Sequence, residues 1–367
     1  MRRNGFAVAI LAAGFVLAGS TVAFGQGIPA KSYQSWSPMP ILMYDNDIGM
    51  GYGGKIKFVD FLAKKESFDL ILFNSTKGER WYVFTFSLPD TEIRQGKTYP
   101  FAFDFKFEYD KYLKYFFYGF GPASSQDDKT VLTHETKSLQ ATFSRGITPE
   151  FVVTAAYSLR WLNYSRVEDG ETFTDFLRQR TSQFVPFLSL IVRYDTSESQ
   201  IHPTRGVRFL LQDDIAGGIV GSRDSSYNRI TLDLRQYTRV FGEKDVFAAR
   251  ALVQYITGSE IPVFDMSSLG GGGELSAMRG YALNRFLDKG KFLANFEYRF
   301  PIFWRFGGNL FVDMGTVWPS LDRFSFRNLA IDYGLGLRFY LDDFCVRVDY
   351  GFSKEGSRLY FNFGHIF

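Results

Sequence analysis

The sequence has few of the residues that stabilise small secreted domains or bind metals: one cysteine, Cys345, and three histidines among 367 residues. A single cysteine excludes an internal disulfide, and no Cys/His group has the spacing of a zinc site. The net charge is only +3 and no basic stripe is present, so nucleic-acid binding is not indicated. These absences predict a protein with no resident metal, no cofactor and no nucleic-acid partner.

Catalytic constellations are equally scarce. Nucleophilic hydrolysis needs a histidine or an equivalent base beside a serine or an acid. His134 falls in an upstream strand or loop, His202 in a turn, and His365 on the apolar face of a terminal strand, the face that would meet lipid in a membrane barrel. Cys345 is interpreted as a small packing residue on the opposite kind of face, which would line the lumen of such a barrel. We therefore expect that the protein is not an enzyme.

Long hydrophobic runs are missing beyond the first 25 residues, although aromatic residues are abundant. Phe and Tyr number 41 and 21, aromatic residues make up 18% of the chain, and the mean hydropathy is −0.11. A transmembrane β-barrel reconciles these facts, because all its backbone groups pair between strands and only alternate side chains need be apolar. A secreted β-sandwich also alternates, but it would have to hide this many aromatic rings in soluble cores.

The first 25 residues have the pattern of a secretory signal peptide. Met1–Asn4 is basic, Phe6–Leu17 is apolar, and Ala23–Gly25 supplies small residues for cleavage. The apolar run is shorter than the roughly twenty residues that a transmembrane helix needs. We predict a signal peptide over residues 1–25, a short periplasmic segment over 26–49, and an outer-membrane barrel over 50–367.

Strict alternation of apolar and polar residues predicts five consecutive strands at the carboxy-terminal end. In the first of them, Phe292, Phe296 and Tyr298 fall on one face, whereas Asn295 and Glu297 fall on the other. Eleven further candidates lie upstream, beginning at Met50–Phe61 and including Phe101–Tyr109 and Leu113–Gly119 as separate strands. Eleven and five give an all-β, sixteen-stranded antiparallel barrel with an even strand number, as in bacterial outer-membrane barrels.

The connections are predicted to alternate between short and long. Ser75–Arg80 and Phe241–Asp245 are tight, whereas Asp90–Pro100 and Gly258–Gly290 are long. Short turns on the periplasmic side and long loops outside are typical of such barrels. At the end of the chain, the alternation predicts a closing strand whose aromatic last residue, Phe367, lies on the apolar face and acts as a barrel-closure signal.

The longest connection carries four consecutive glycines and the triplet Arg279-Gly280-Tyr281. Three further segments accompany this triplet in the order of the chain: the Asp-to-Pro-x-x-Gly turn at Asp195–Gly206, the segment Phe311–Trp318 and the Gly-x-Gly-x-Arg strand at Asp332–Arg338. Together with the triplet, these segments resemble the bacterial surface antigen (outer-membrane protein assembly factor) superfamily. That superfamily of sixteen-stranded outer-membrane barrels includes the core subunit of the barrel-assembly machinery and the two-partner secretion translocators.

The resemblance implies that the loop folds into the lumen and that Arg279 pairs with acidic residues of the wall. The alternation independently places Glu297 and Asp313 on the inward face. A guanidinium between two carboxylates can form charge-assisted, bidentate bonds. The alternative is that the three side chains are separately solvated by channel water.

The match departs from the family in one respect, because only Gln26–Gly49 precedes the first expected strand. That segment is too short for the periplasmic polypeptide-transport-associated (POTRA) domains that usually recruit substrates. The first hypothesis is therefore a short-form barrel for protein translocation or membrane biogenesis in the outer membrane of a Gram-negative bacterium. Its expected partners are outer-membrane lipid, lipopolysaccharide, and a periplasmic chaperone or substrate protein. The alternative is a gated or passive pore.

Overall fold

The computed structural model describes residues 34–45, 49–168, 182–199, 202–341 and 345–367. The signal peptide expected over residues 1–25 lies outside this part of the chain. The strands are β1 (Ser35–Asp45), β2 (Gly49–Val59), β3 (Ser67–Ser75), β4 (Arg80–Leu88), β5 (Tyr99–Phe117), β6 (Thr130–Gly146), β7 (Phe151–Glu168), β8 (Ser182–Phe184), β9 (Phe187–Asp195), β10 (Gly206–Ala216), β11 (Ser226–Arg239), β12 (Val246–Ser259), β13 (Ser267–Leu269), β14 (Phe286–Asp288), β15 (Gly290–Phe303), β16 (Phe306–Trp318), β17 (Ala330–Tyr340), β18 (Cys345–Ser353) and β19 (Gly356–Phe363). The helical elements are α1 (Thr91–Arg94) and the 3₁₀ turns Gly218–Val220, Val263–Asp265, Leu321–Arg323 and Phe326–Asn328.

The strands form one antiparallel meander in which each strand pairs with the next along the chain. Both β8 and β9 pair with β7, so they act as one strand interrupted at Val185-Pro186. The small β13–β14 pair stands apart from the large sheet. With β8 and β9 counted together, the described residues form sixteen strands of this sheet, and the all-β prediction is confirmed.

Two errors in the predicted strands cancel in the total strand count, because one strand was missed and another was counted as two. The chain enters the sheet at Ser35–Asp45, so the expectation of a periplasmic segment up to residue 49 and a first strand at Met50 was wrong. The segment Phe101–Tyr109 and most of Leu113–Gly119 belong to one 19-residue strand, β5, which ends at Phe117. The register shifts between Tyr112 and Tyr115, and this irregularity interrupts the alternation that the sequence pattern relies on.

The predicted faces of the carboxy-terminal strands are confirmed. In β16 and β17 the apolar residues Leu310, Ile331 and Leu335 are exposed, whereas Asn309, Asp313 and Asp332 are buried on the opposite face. We call the buried side the inner face and the exposed, apolar side the outer face. This arrangement suits a sheet whose outer face meets lipid and whose inner face surrounds polar contents.

The alternation of short and long connections is only partly observed. Successive antiparallel strands reverse direction, so every second connection lies at the same end of the sheet. The tight connection after β3 therefore lies at the same end as the long loop between β12 and β15, and the longer segment between β4 and β5 lies at the opposite end. The merger of two expected strands into β5 causes this reversal, because it removes one change of chain direction between β4 and β6. We call the end that carries the β9–β10, β11–β12 and β15–β16 connections the short-turn end.

The segment between β12 and β15, residues 260–289, folds against the inner face; we call it the inner loop. Its side chains contact β7 and β11 on one side and β15, β16 and β18 on the other. Because strands so far apart in the sheet contact one loop, the sheet curves around it. Within the described residues, no helix combines the length and apolar character needed to cross a membrane.

Candidate functional site: the anchored inner loop

Arg279 joins the inner loop to the wall through the two carboxylates expected from the sequence. Its Nε and Nη2 donate to Oδ2 and Oδ1 of Asp313, each at 2.8 Å, and its Nη1 donates to Oε1 of Glu297 at 2.5 Å. All three side chains are 0% exposed. The guanidinium carbon also lies 3.4 Å from the centre of the Phe311 ring. The bidentate geometry with Asp313 explains why an arginine, rather than a lysine, suits this position.

Gly280 and Tyr281 complete this contact, which we call the Arg279 anchor. A Cβ atom on Gly280 would lie 2.6 Å from the Cβ of Asp332 and 2.8 Å from the backbone of Phe352, so only glycine fits without displacing the wall. Tyr281 is buried in an apolar cluster that includes Met278 and Phe286. Its carbonyl oxygen accepts a hydrogen bond from the Tyr360 hydroxyl at 2.7 Å. The triplet therefore combines a charge, a close backbone approach and an apolar ring.

Charged groups of the wall extend the Arg279 anchor. Glu297 accepts a second arginine bond, from Nε of Arg299 at 2.7 Å. Arg338 donates to Asp349 at 2.6 Å, and Arg347 donates to the carbonyl of Gly272 in the inner loop at 3.0 Å. Buried charges are tolerated when they are paired and hydrogen-bonded, and removal of one partner leaves the other uncompensated. The network thus positions the loop strongly at the cost of sensitivity to single substitutions.

A second charged contact, absent from the sequence prediction, holds the beginning of the inner loop. Asp265 is buried and accepts a hydrogen bond from Tyr227 at 2.9 Å. It also binds Arg160, and its Oδ1 lies 3.5 Å from Nη1 of Arg229. Burial acts to raise the pKa of Asp265, but the charges of Arg160 and Arg229 outweigh it and lower the pKa. We call this contact the Asp265 anchor.

Apolar packing supports the Asp265 anchor. The ring of Phe264 lies 4.2 Å from the Tyr115 ring and 4.7 Å from the Tyr164 ring, measured between centroids. His134, which the sequence left in an upstream strand or loop, lies in β6 with its ring 4.5 Å from that of Phe264. His134 therefore packs among aromatic rings of the inner face. No motif marks Asp265, and its partners lie 36 to 105 residues away in sequence.

Further polar contacts hold the rest of the inner loop. Nε of Arg285 lies 2.8 Å from Oε2 of Glu355, and its Nη2 donates to the carbonyl of Ser124 at 2.6 Å. The Nζ of Lys291 donates to the carbonyl of Leu275 at 2.7 Å. Glu274 is paired with Arg235 at 2.6 Å. The loop is consequently attached to the wall along its whole length.

The expected position of Phe367 on the outer, apolar face was wrong. The last strand ends at Phe363, Gly364 adopts φ +75°, and the chain then turns inward. Phe367 is buried, stacks on Tyr237 with the ring centroids 6.4 Å apart, and its carbonyl oxygen accepts a bond from Arg299 at 2.9 Å. A positive φ is readily adopted by glycine, which explains why the turn occurs there. The role of Phe367 as a closure signal stays a prediction.

The inward turn also moves His365 away from the predicted lipid-facing position. Its ring lies 5.6 Å from the ring of His202, and both rings contact Tyr340. Burial, followed by the charges of Arg299 and Arg338, lowers the pKa of His365 well below its usual range. Cys345 is buried on the inner face, as the alternation indicated. The described residues include no group of three or more His, Cys, Asp or Glu side chains that could hold a metal ion.

Comparison with solved structures finds the same fold in two kinds of protein. BamA from Haemophilus ducreyi lacking POTRA domains 1-3 matches with a TM-score of 0.66 and 15% identity, over 90% of this chain and 69% of that chain. CdiB from Acinetobacter baumannii matches with a TM-score of 0.58 and 14% identity, over 91% and 60%. CdiB from Escherichia coli matches with a TM-score of 0.61 and 10% identity, over 92% of this chain and 63% of that chain. The chain therefore spans less than two thirds of either CdiB protein.

A comparison with curated protein sequences finds no match. The family comparison, in contrast, covers most of the sheet and the whole inner loop. The model of the Omp85 superfamily domain matches residues 70–367, a range that holds the Arg279 anchor, the Asp265 anchor and the inward-turned tail. The sheet topology, the inner loop with its Arg-Gly-Tyr triplet and this match agree: the chain belongs to the Omp85 superfamily.

Proposed function

We propose that the protein is an outer-membrane barrel of a Gram-negative bacterium that takes part in protein translocation or outer-membrane biogenesis. The observation that carries the proposal is the Arg279 anchor, which fixes the inner loop inside a barrel of the Omp85 superfamily. A barrel whose interior holds an anchored loop is poorly suited to free passage of solutes. The activity would then take place at the edges of the sheet, between β1 and β19.

The outer face supports placement in a membrane. Its exposed residues are large and apolar on successive strands, for example Phe296 on β15, Leu310 on β16 and Leu335 on β17. A soluble protein would rarely expose so continuous an apolar surface. Lipid and lipopolysaccharide are the partners that this face would meet.

Separate periplasmic proteins complete the proposal. The described residues all belong to the large sheet, its connections or the inward-turned tail, and none of them forms a separate recognition domain. A chaperone or the substrate protein itself would bring cargo to the short-turn end. The proposed role is non-enzymatic, because the barrel would act by opening and by pairing with substrate strands.

A disulfide between the first and last strands tests this mechanism. Cys345 is first replaced by serine, and one cysteine is placed in β1 between Trp36 and Ile41 and one in β19 between Arg358 and Asn362, with the best pair chosen by crosslinking yield. If β1 and β19 must separate, oxidation should abolish activity, read as the composition of the outer-membrane proteome, and reduction should restore it. The control pair, Leu211→Cys and Leu232→Cys, joins register partners on β10 and β11.

The outcomes separate the proposal from the pore alternative. Loss of function in the β1–β19 variant but not in the β10–β11 control supports lateral opening. An unchanged proteome in the oxidised β1–β19 variant would reject it. A gated pore would tolerate the tether and would instead conduct more after deletion within the inner loop.

A further inference from the structure

A cavity of about 370 Å³ lies at the short-turn end, where four connections and the tail meet. Its lining comes from the β9–β10 turn, the β11–β12 turn, the β15–β16 hairpin, the end of β17 and the inward-turned tail. The residues that matter here are His202, Lys244, Arg299, Trp304, Arg305 and His365. This cavity is separate from the Asp265 anchor, and it shares Arg299 with the charged network that extends the Arg279 anchor.

The lining of the cavity is basic. Lys244, Arg299 and Arg305 carry positive charge, and two histidines and several aromatic rings complete the wall. No carboxylate is among the described residues that line the cavity. Glu297 pairs with Arg299 from behind the lining, so Lys244 and Arg305 supply the excess positive charge that attracts an anion.

Arg299 is held in a fixed orientation by hydrogen bonds from two of its three guanidinium nitrogens. It is 2% exposed, its Nε is bound to Glu297 at 2.7 Å, and its Nη2 is bound to the carbonyl of Phe367 at 2.9 Å. Among the residues that the structure describes, its Nη1 has no hydrogen-bond partner, and neither has Nδ1 of His365. A buried guanidinium nitrogen without a partner is costly unless a ligand or water satisfies it. Both groups belong to residues that line the cavity.

The rim of the cavity has the character of a membrane interface. Phe303 and Trp304, at the tip of the β15–β16 hairpin, are 64% and 75% exposed. Phe300 and Phe306 share the parity of the outer face, and they line the cavity together with inward-facing Arg299. The cavity thus spans the edge of the wall, from the inner face to the side that would meet lipid. Aromatic girdles mark this level in membrane barrels.

We propose that this cavity binds the phosphate of an anionic phospholipid headgroup in the inner leaflet of the outer membrane. The phosphate accepts hydrogen bonds from Nη1 of Arg299 and is attracted by Lys244 and Arg305, while the acyl chains lie over Phe306 and Trp304. The placement of the site rests on the proposed membrane orientation, but binding does not depend on translocation activity. A lipid held here would fix the β15–β16 hairpin and the tail against the bilayer.

Native mass spectrometry of the detergent-purified, full-length mature protein tests the proposal. We expect one phosphatidylglycerol molecule to be retained per barrel, in preference to phosphatidylcholine. The double variant Lys244→Gln, Arg305→Gln should weaken phosphatidylglycerol binding roughly thirtyfold, since each basic residue near a membrane contributes about 1 kcal/mol. Arg299 is kept, because it also binds Glu297 in the Arg279 anchor.

The matched control is Arg327→Gln, Lys354→Gln, which removes the same charge from two exposed residues at the opposite end. It should bind phosphatidylglycerol like the unmodified protein. Equal retention of both lipids, or equal loss in the two double variants, would overturn the proposal. Displacement of the lipid by a hundredfold excess of inorganic phosphate would also overturn it, because the site would then bind a free anion. Failure of the β1–β19 tether test leaves these outcomes unaffected, so the two proposals fail separately.

Discussion

Asp265 and Asp313 are bound by arginines in opposite senses. Asp265 belongs to the inner loop and is held by arginines of the wall, whereas Asp313 belongs to the wall and is held by an arginine of the inner loop. The two contacts use different strands, β7 and β11 for the first and β16 for the second. The inner loop therefore bridges two separate parts of the wall, and release of one contact leaves the other in place.

Arg279→Ala or Asp313→Asn should lower the stability of the barrel and impair function without a large effect on targeting. Loss of one partner leaves an uncompensated buried charge, which costs about 3–5 kcal/mol. Urea titration of the folded protein in liposomes measures the effect, and the double variant gives the coupling energy.

The control for this cycle is the exposed pair Arg323 and Asp322, whose closest charged atoms are 3.9 Å apart. That pair should show no measurable coupling. If Arg279 and Asp313 also showed no coupling energy, their pairing would not stabilise the folded protein, and the Arg279 anchor would be rejected.

Asp265→Asn tests whether the inner loop has two independent anchors. The substitution removes the charge that Arg160 and Arg229 share, yet Arg279 should still hold the loop. In planar bilayers we expect a small rise in conductance for either single variant and a much larger rise for Asp265→Asn combined with Arg279→Ala. Glu274→Gln, another loop carboxylate that is more than half exposed, is the control partner. A full rise with Arg279→Ala alone would exclude the second anchor.

Acidification should release the inward-turned tail. His365 faces His202, Tyr340, Arg299, Arg338 and Glu297. Burial lowers the pKa of His365 and of His202 below the usual value of about 6.5. The released tail therefore binds protons more readily than the seated tail, and the stability of the seated tail falls as the pH drops below about 6.5.

The labelling rate of Ile366→Cys, in a Cys345→Ser background, reports this release because Ile366 is buried. Its rate relative to that of Gly218→Cys, where nothing lies near the added Cβ atom, should increase from pH 7.5 to pH 5.5. The variant His202→Gln, His365→Gln should show no such increase. A ratio that is independent of pH in the unmodified histidine background would exclude the mechanism.

The sequence predicts the outward and inward faces well, because alternation along a strand fixes them. It also brings Arg279 to Glu297 and Asp313 through parity and family resemblance. Prediction from alternation fails where the backbone departs from regular extension, at the β5 irregularity and at Gly364. It also misses β1, because Pro38 and Pro40 obscure the strand pattern there. Asp265 is missed for a different reason, since its partners come together only through the curvature of the sheet.

A disulfide between the inner loop and the last strand measures the central claim most directly. A Cβ atom on Gly272 would lie 3.3 Å from the Cβ of Tyr360, close to the 3.5–4.5 Å separation in disulfides. In a Cys345→Ser background, Gly272→Cys with Tyr360→Cys should crosslink in high yield upon oxidation in intact cells, seen as a shift in gel mobility. Gly218→Cys with Tyr360→Cys should not. Efficient crosslinking of the first pair alone is the result we predict, and equal or absent crosslinking of both pairs would contradict an inner loop anchored within the barrel.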